Sequence, residues 1–225
     1  MSRAPGERAG LSREEVVLAA LGVLRADGLA ALSMRRVAGE LGVAPNALYS
    51  HVPDKAALID ALLDAVLADV ALPRRGDWRT RIEALLLDSR RVLLAHPDLV
   101  PLFLSRQTNG PNALRLGEAM LQQLARGGLA GEDAVRALQV LLIYTIGATA
   151  FEVPRSQERD PEARAARGRH VAGNLDPATF PRTTSAAEAL ASHPAETLLR
   201  SGISWLLDGL SAEARLRRGA RRRTG

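Results

Sequence analysis

Apolar positions recur at helical spacing along most of this chain. Val17, Leu21 and Leu24 fall on one stripe with Val16 and Ala20 beside them, the three-and-four spacing that buries one face of a helix. In front of them Ser12-Arg-Glu-Glu15 has the form of a capping box, in which the hydroxyl accepts from the amide three residues on and the carboxylate reaches back. Gly28 is placed to end this helix, because glycine tolerates the left-handed closing conformation. A second helix is predicted from Ser33, its N-cap, with Val37, Ala38 and Leu41 on one side, and Gly42 breaks it. A third opens at Pro45, whose missing amide hydrogen is not needed in a first turn, and runs to about His51. The fourth is predicted from Asp54 to about Val70, with Leu58, Ile59, Leu62, Leu63 and Val66 as its stripe.

Pro73-Arg-Arg-Gly-Asp77 is the clearest boundary, so one domain is expected over residues 1–72 and a second over 73–210. Helical patterns continue over 78–95, 98–107, 111–127, 131–153 and 186–210. Residues 154–185, with four prolines, alternating charges and few large apolar groups, are expected as a flexible surface loop. Leu and Ala carry the apolar load and aromatics are only 3%, which favours helices over strands. No strand-pairing signal or internal repeat is present, and the expected fold is all-α.

Charge changes this picture less than its total suggests. The formal net charge is +5, but residues 211–225 hold six arginines against one acid, Glu213, and account for all of it. The high isoelectric point thus belongs to a basic tail, expected to be disordered, and says nothing about the folded body. The absence of cysteine excludes disulfides, thiol nucleophiles and Cys-ligated metals. The N-terminus lacks the apolar core of a signal peptide. The apolar run Val140 to Phe151 falls short of the roughly 20 residues that span a bilayer. A cytoplasmic protein with no membrane partner is expected.

Residues 33–51, SMRRVAGELGVAPNALYSH, carry the most specific signal. Two short helices joined through Gly42 have helix-turn-helix spacing. Ala38 is small enough for a close crossing, and Val43 and Leu48 can bury toward the preceding helices. Ala44, Pro45, Asn46, Ala47, Tyr49 and Ser50 are then left on the outside of the third helix. Small side chains with a few polar groups suit an element that enters a major groove. Ser33, Arg35 and Arg36 open the helix before it, His51 ends the recognition segment, and Lys55 opens the next helix, where its amine and the free amides can face a phosphate. The same glycine-linked pair occurs in bundles that never meet DNA. Spacing alone therefore leaves open a helical ligand carrier, an enzyme with a purely structural helix pair, or a non-specific DNA binder.

Residues 11–63 resemble the N-terminal domain of the TetR family of bacterial transcription regulators. The likeness rests on Gly28, Ser33, Arg35, Ala38, Leu41-Gly42-Val43, Leu48-Tyr49, His51-Val52, Lys55 and Leu58, without a gap. It implies binding to double-stranded operator DNA, with His51 on a backbone phosphate. More weakly, Trp78-Arg, Ser89-Arg90-Arg91 with Leu94, and Tyr144-Thr-Ile-Gly147-Ala148 resemble the C-terminal domain of the tetracycline repressors, which in that family holds an inducer and forms the dimer. The drug and metal positions of those repressors fall on Phe103, Leu85 and Ile143 here. Neither a magnesium chelate nor any other metal or cofactor is therefore expected.

Candidates for lining an effector pocket are Leu85, Leu86, Ser89, Phe103, Gln107, Gln123, Tyr144 and Thr149, a mostly apolar set suited to a neutral, largely hydrophobic inducer. Gly147 with Leu199, Ile203, Leu206 and Leu210 is the expected homodimer interface. The four histidines, 51, 96, 170 and 193, share no helical face, and Asp60, Asp64, Asp69, Glu83 and Asp88 read as solvated helix faces. An enzyme is not expected. The residues and the resemblance together point to an all-helical, two-domain, homodimeric repressor released by a small molecule.

Overall fold

The computed structural model describes residues 11–156, 161–192 and 194–221. Among them every regular element is helical: α1 (Arg13–Ala31), α2 (Met34–Leu41), α3 (Asn46–Tyr49), α4 (Lys55–Val66), α5 (Trp78–Leu94), α6 (Val100–Ser105), α7 (Pro111–Arg126), α8 (Glu132–Ser156), α9 (Pro161–Gly173), α10 (Pro181–Ser185), α11 (Ala187–Ser192) and α12 (Ala195–Arg221). Short 3-10 turns follow α4 at Leu67–Asp69 and precede α6 at Pro97–Leu99. The described residues form two compact units. The first joins those up to Leu72 with Arg91–Ala119, and the second joins Pro73–Arg90 with those from Met120 onward.

In the first unit the stripe of α1 (Val16, Val17, Ala20, Leu21, Val23, Leu24) is buried with Val37 and Ala38 of α2, Leu48 of α3, and Leu58, Leu62, Leu63 and Val66 of α4. The segment after Arg91 adds Leu99, Val100 and Phe103 to the buried set, and the Pro97–Leu99 turn touches α1. The N-terminal caps predicted at Ser12 and Ser33 form, and Asp54 adds a third at the start of α4. The Glu15 amide donates to Ser12 Oγ (3.2 Å) and the Ser12 amide to Glu15 Oε2 (2.8 Å). The Arg36 amide donates to Ser33 Oγ (3.2 Å), and the Ala57 amide to Asp54 Oδ1 (2.7 Å). Gly28 sits at φ +76° within the last turns of α1, where the helical backbone is interrupted.

The second unit buries Ile82, Leu85, Leu86, Met120, Leu124, Leu141, Leu199, Ile203 and Leu207, with α8 packed on α12. Polar groups lock the same elements. Arg90 makes a two-pronged pair with Glu152 (Nε to Oε2, 2.7 Å), both side chains largely buried, and reaches Glu196 at 3.2 Å. Arg79 holds Asp208, Ser211 Oγ and the Leu207 carbonyl, and Arg200 pairs with Glu83.

Three sequence expectations are corrected here. The described residues between 154 and 185 are mostly helical rather than a loop: α8 continues through Pro154 to Ser156, and α9 and α10 are formed. Pro161 and Pro181 open helices, where proline is tolerated, and the intervening Ala, Arg and Glu are good helix formers. The tail is helical to Arg221 as the continuation of α12. The single helix expected over 186–210 is divided, with α11 ending at Ser192 and α12 starting at Ala195.

Candidate nucleic-acid interface

The recognition segment is built from short-range interactions. Gly42 closes α2 at φ +65°, ψ 34°, a left-handed geometry that a side chain would strain. Its amide and that of Val43 (3.0 Å to the Ala38 carbonyl) satisfy the last carbonyls of α2. Four residues cannot make α3 a stable helix by themselves. Leu48, fully buried, anchors it, and the amides of His51 and Val52 fold back onto the Leu48 carbonyl at 2.9 Å. Truncating Leu48 to Ala would cost about 2–5 kcal/mol.

With Leu48 inside, the other face of α3 is left to solvent. Ala44, Pro45, Asn46, Tyr49 and Ser50 are exposed, with Tyr49 at 49%, while Ala47 and His51 are half-buried. Arg35 and Lys55 are exposed at the starts of α2 and α4. Seven of these candidates thus lie on the outer surface of consecutive elements, and Val43 is half-buried rather than core. Three candidates are already engaged. Ser33 caps α2, Ser50 Oγ donates to the Ala47 carbonyl (3.0 Å), and Arg36 is held by Asp27 (3.1 Å) and Glu40 (3.0 Å). Those ion pairs are exposed, so each is weak enough for a phosphate to displace.

The eight effector candidates are divided between the two units. Phe103 and Gln107 belong to the first unit, the other six to the second. Leu85, Leu86, Ser89, Phe103 and Thr149 are buried, whereas Gln107 is exposed and lines a half-open cleft of about 1080 Å³ in the first unit. Ser89 Oγ and Thr149 Oγ1 donate to carbonyls one turn back, at 2.8 and 2.7 Å. Tyr144 is committed elsewhere: its hydroxyl donates to the Leu198 carbonyl (2.9 Å), and a Cβ on Gly202 would fall 1.9 Å from that oxygen. Thr145, absent from the candidates, is the residue whose buried hydroxyl has no hydrogen-bond partner among the described residues.

Of the interface candidates, Leu199 and Ile203 are corrected to core, at 1% and 0% exposure, because α12 turns them onto its own unit. Leu206 and Leu210 are half-buried, and open space surrounds Gly147. One of the acids read as solvated is also corrected, since Asp64 is buried; Asp60 is exposed as expected and pairs with Arg106, which holds its carboxyl below the usual range. His96 is buried, and desolvation lowers its pKa, which disfavours the charged ring. His193 lies outside the described residues. Among those described, no three His, Asp or Glu side chains are grouped to hold a metal.

A capped helix pair that buries one apolar residue of its second helix and presents small and polar ones outward defines a helix-turn-helix DNA-binding regulator. Comparison with known proteins agrees. Residues 16–62 match the family of bacterial regulatory proteins called tetR, and residues 71–214 match the tetracyclin repressor-like C-terminal domain. A helix-turn-helix transcriptional regulator of Saccharopolyspora erythraea is 35% identical, covering 72% of this chain and 69% of its own. The class A tetracycline repressor of transposon 1721 from Escherichia coli is 31% identical, covering 89% and 91%. The crystal structure of ActR from Streptomyces coelicolor in complex with actinorhodin matches with a TM-score of 0.84 at 30% identity, over 92% of this chain and 98% of ActR. The chain belongs to the TetR family and is a DNA-binding transcriptional regulator.

Proposed function

We propose that this protein is a homodimeric repressor that occupies a pseudo-palindromic operator and leaves it when a small, largely hydrophobic effector binds. The observation that carries the reading is the outer face of α2 and α3, where Arg35, Pro45, Asn46 and Tyr49 are exposed on a segment whose inner face is fully buried. Two such segments in a symmetric dimer would enter major grooves about 34–36 Å apart, with Ser33, Arg36, Ala44, Ala47, Ser50, His51 and Lys55 flanking the base-reading residues. Residues 1–72 would read DNA and 73–210 would hold the effector and the dimer contact. Operator binding would place the protein in the cytoplasm.

A second exposed face supports the dimer. On α8, Val140, Ile143 and Gly147 recur at three and four residues. On α12, Leu198, Trp205, Gly209, Ala212 and Leu216 form another stripe, with Trp205 at 74% exposure. By length and composition alone, Glu132–Pro154 is apolar enough to cross a membrane. Its Glu152 is ion-paired within the second unit, and its apolar stripe runs alongside small residues, which suits a helix of a second copy better. Gly147, Leu206 and Leu210 stay at this proposed interface. The effector reading is supported by the buried apolar residues Leu85 and Leu86 beside hydroxyl groups. Relatives whose names state tetracycline repression, and the actinorhodin complex of ActR, support the same reading.

The direct test is a gel shift with the duplex upstream of the protein's own gene. A discrete complex at physiological salt, resisting competition by unrelated duplex, is expected. No shift at low salt from a dimeric preparation would sink the proposal, and equal affinity for any duplex would make it a non-specific binder.

A further inference from the structure

We propose that Asp64 is a positioning residue for DNA reading: its buried carboxylate caps α7 and thereby fixes the rotation of α4, the helix that follows the recognition segment. Asp64 accepts from the backbone amides of Asn112 (3.1 Å) and Ala113 (2.9 Å) and from Asn112 Nδ2 (3.1 Å). The first turn of any helix lacks internal acceptors for its amides, and its positive end favours an anion. Here the anion comes from a different helix 48 residues away in sequence.

The fit is close enough to dictate a neighbour. A Cβ at Gly110 would lie 2.2 Å from Asp64 Cγ, so the approach of the two elements depends on glycine there. Two arginines on the same segment grip α4 above and below. Arg106 binds Asp60 Oδ1 (2.6 Å) and the Ala56 carbonyl (3.2 Å), and Arg115 donates to the carbonyls of Leu67 and Val70 (3.1 Å each). Segment 106–115 therefore holds α4 and the 3-10 turn that follows it at three successive levels.

An apolar side chain at position 64, beside buried Ala61, Leu62 and Leu63, would bind the helices together without fixing their register. Burying a carboxylate is costly, and directional hydrogen bonds are what it offers in return: they permit one rotation of α4. Only Val52, Pro53 and Asp54 separate α4 from the recognition segment, and α4 carries Lys55, so its rotation sets where α3 and that amine lie.

The test selects an operator from a random duplex library with the wild-type protein. Affinities for that operator and for a scrambled duplex are then compared for Asp64→Asn, Asp64→Ala, Gly110→Ala and the Asp64→Ala, Gly110→Ala double variant. Hydrogen exchange of the α4 amides is measured alongside. The expected result is at least a tenfold loss on the operator with scrambled-duplex affinity within twofold, and faster exchange in α4. Gly110→Ala should cost less in the Asp64→Ala background than alone, since the carboxylate contacts are gone and only the 2.7 Å approach to the Cβ of residue 64 remains. Operator affinity within twofold of wild type, equal losses on both duplexes, or additive losses in the double variant would overturn the proposal. Should the Asp64 variants fail to fold, Gly110→Ala alone gives the same reading through its operator and scrambled-duplex affinities.

Discussion

The recognition segment and the second unit solve the same problem, ordering short helices, in opposite ways. Around α2 and α3 the polar contacts close within a few residues: Ser33 to Arg36, Ser50 to Ala47, Asp54 to Ala57. In the second unit they span long stretches of chain, 62 residues for Arg90 and Glu152, 54 for Tyr144 and Leu198, 129 for Arg79 and Asp208. Their exposed faces differ as well. One presents small and polar groups, the other Ile143, Leu198 and Trp205. A locally determined segment can leave a whole face free for DNA, because little of its stability depends on that face. A unit held by distant pairs leaves free what its own core cannot cover, and here that surplus is apolar and suited to a second copy.

The sharpest way to break the contrast is to charge the apolar face. Ile143→Glu with Trp205→Glu should leave helicity unchanged and convert the proposed dimer to monomer in sedimentation, with operator binding lost at ordinary protein concentrations. A double variant that stayed dimeric would move the interface elsewhere. Stripping the polar face comes next. Arg35→Ala with Tyr49→Ala should remove about 2–5 kcal/mol of operator binding, as expected for two contacting side chains, with urea unfolding within error of wild type. Full retention of binding would take these residues out of the DNA contact.

Glu152→Ala tests the long-range lock. It leaves Arg90 mostly buried without its main anion, for which a cost of about 3 kcal/mol in urea unfolding is expected. Replacing the local cap should cost less: Ser33→Ala, about 1 kcal/mol. If the two losses came out equal, the division into local and long-range stabilisation would be wrong. The smallest effect concerns pH. Burial lowers the pKa of His96, with Arg25 acting in the same direction and Asp69 against it. Below the ordinary value of 6.5 the unfolded chain takes up a proton that the folded state refuses, so stability should decline as pH falls from there toward the lowered value. His96→Asn should flatten that slope in thermal melts recorded between neutral and mildly acidic pH.

The amino-acid sequence by itself determined the helical class, the caps at Ser12 and Ser33, the start of α4 at Asp54, the turn at Gly42 and the outward face of α3. Each of these is settled by neighbours within one or two turns, and such interactions leave a readable spacing. It also misled wherever composition stood in for structure: prolines at 161 and 181 open helices, and the arginine-rich end continues α12 to Arg221. Only the tertiary structure decided which side of a symmetric-looking stripe is core. Leu199 and Ile203 face inward while Trp205 faces out, because α12 packs on α8 at a rotation that no local pattern encodes. The same holds for Asp64, whose spacing from Asp60 is that of a solvated face. Its burial follows from the amides of Asn112 and Ala113, which chain folding alone brings to it.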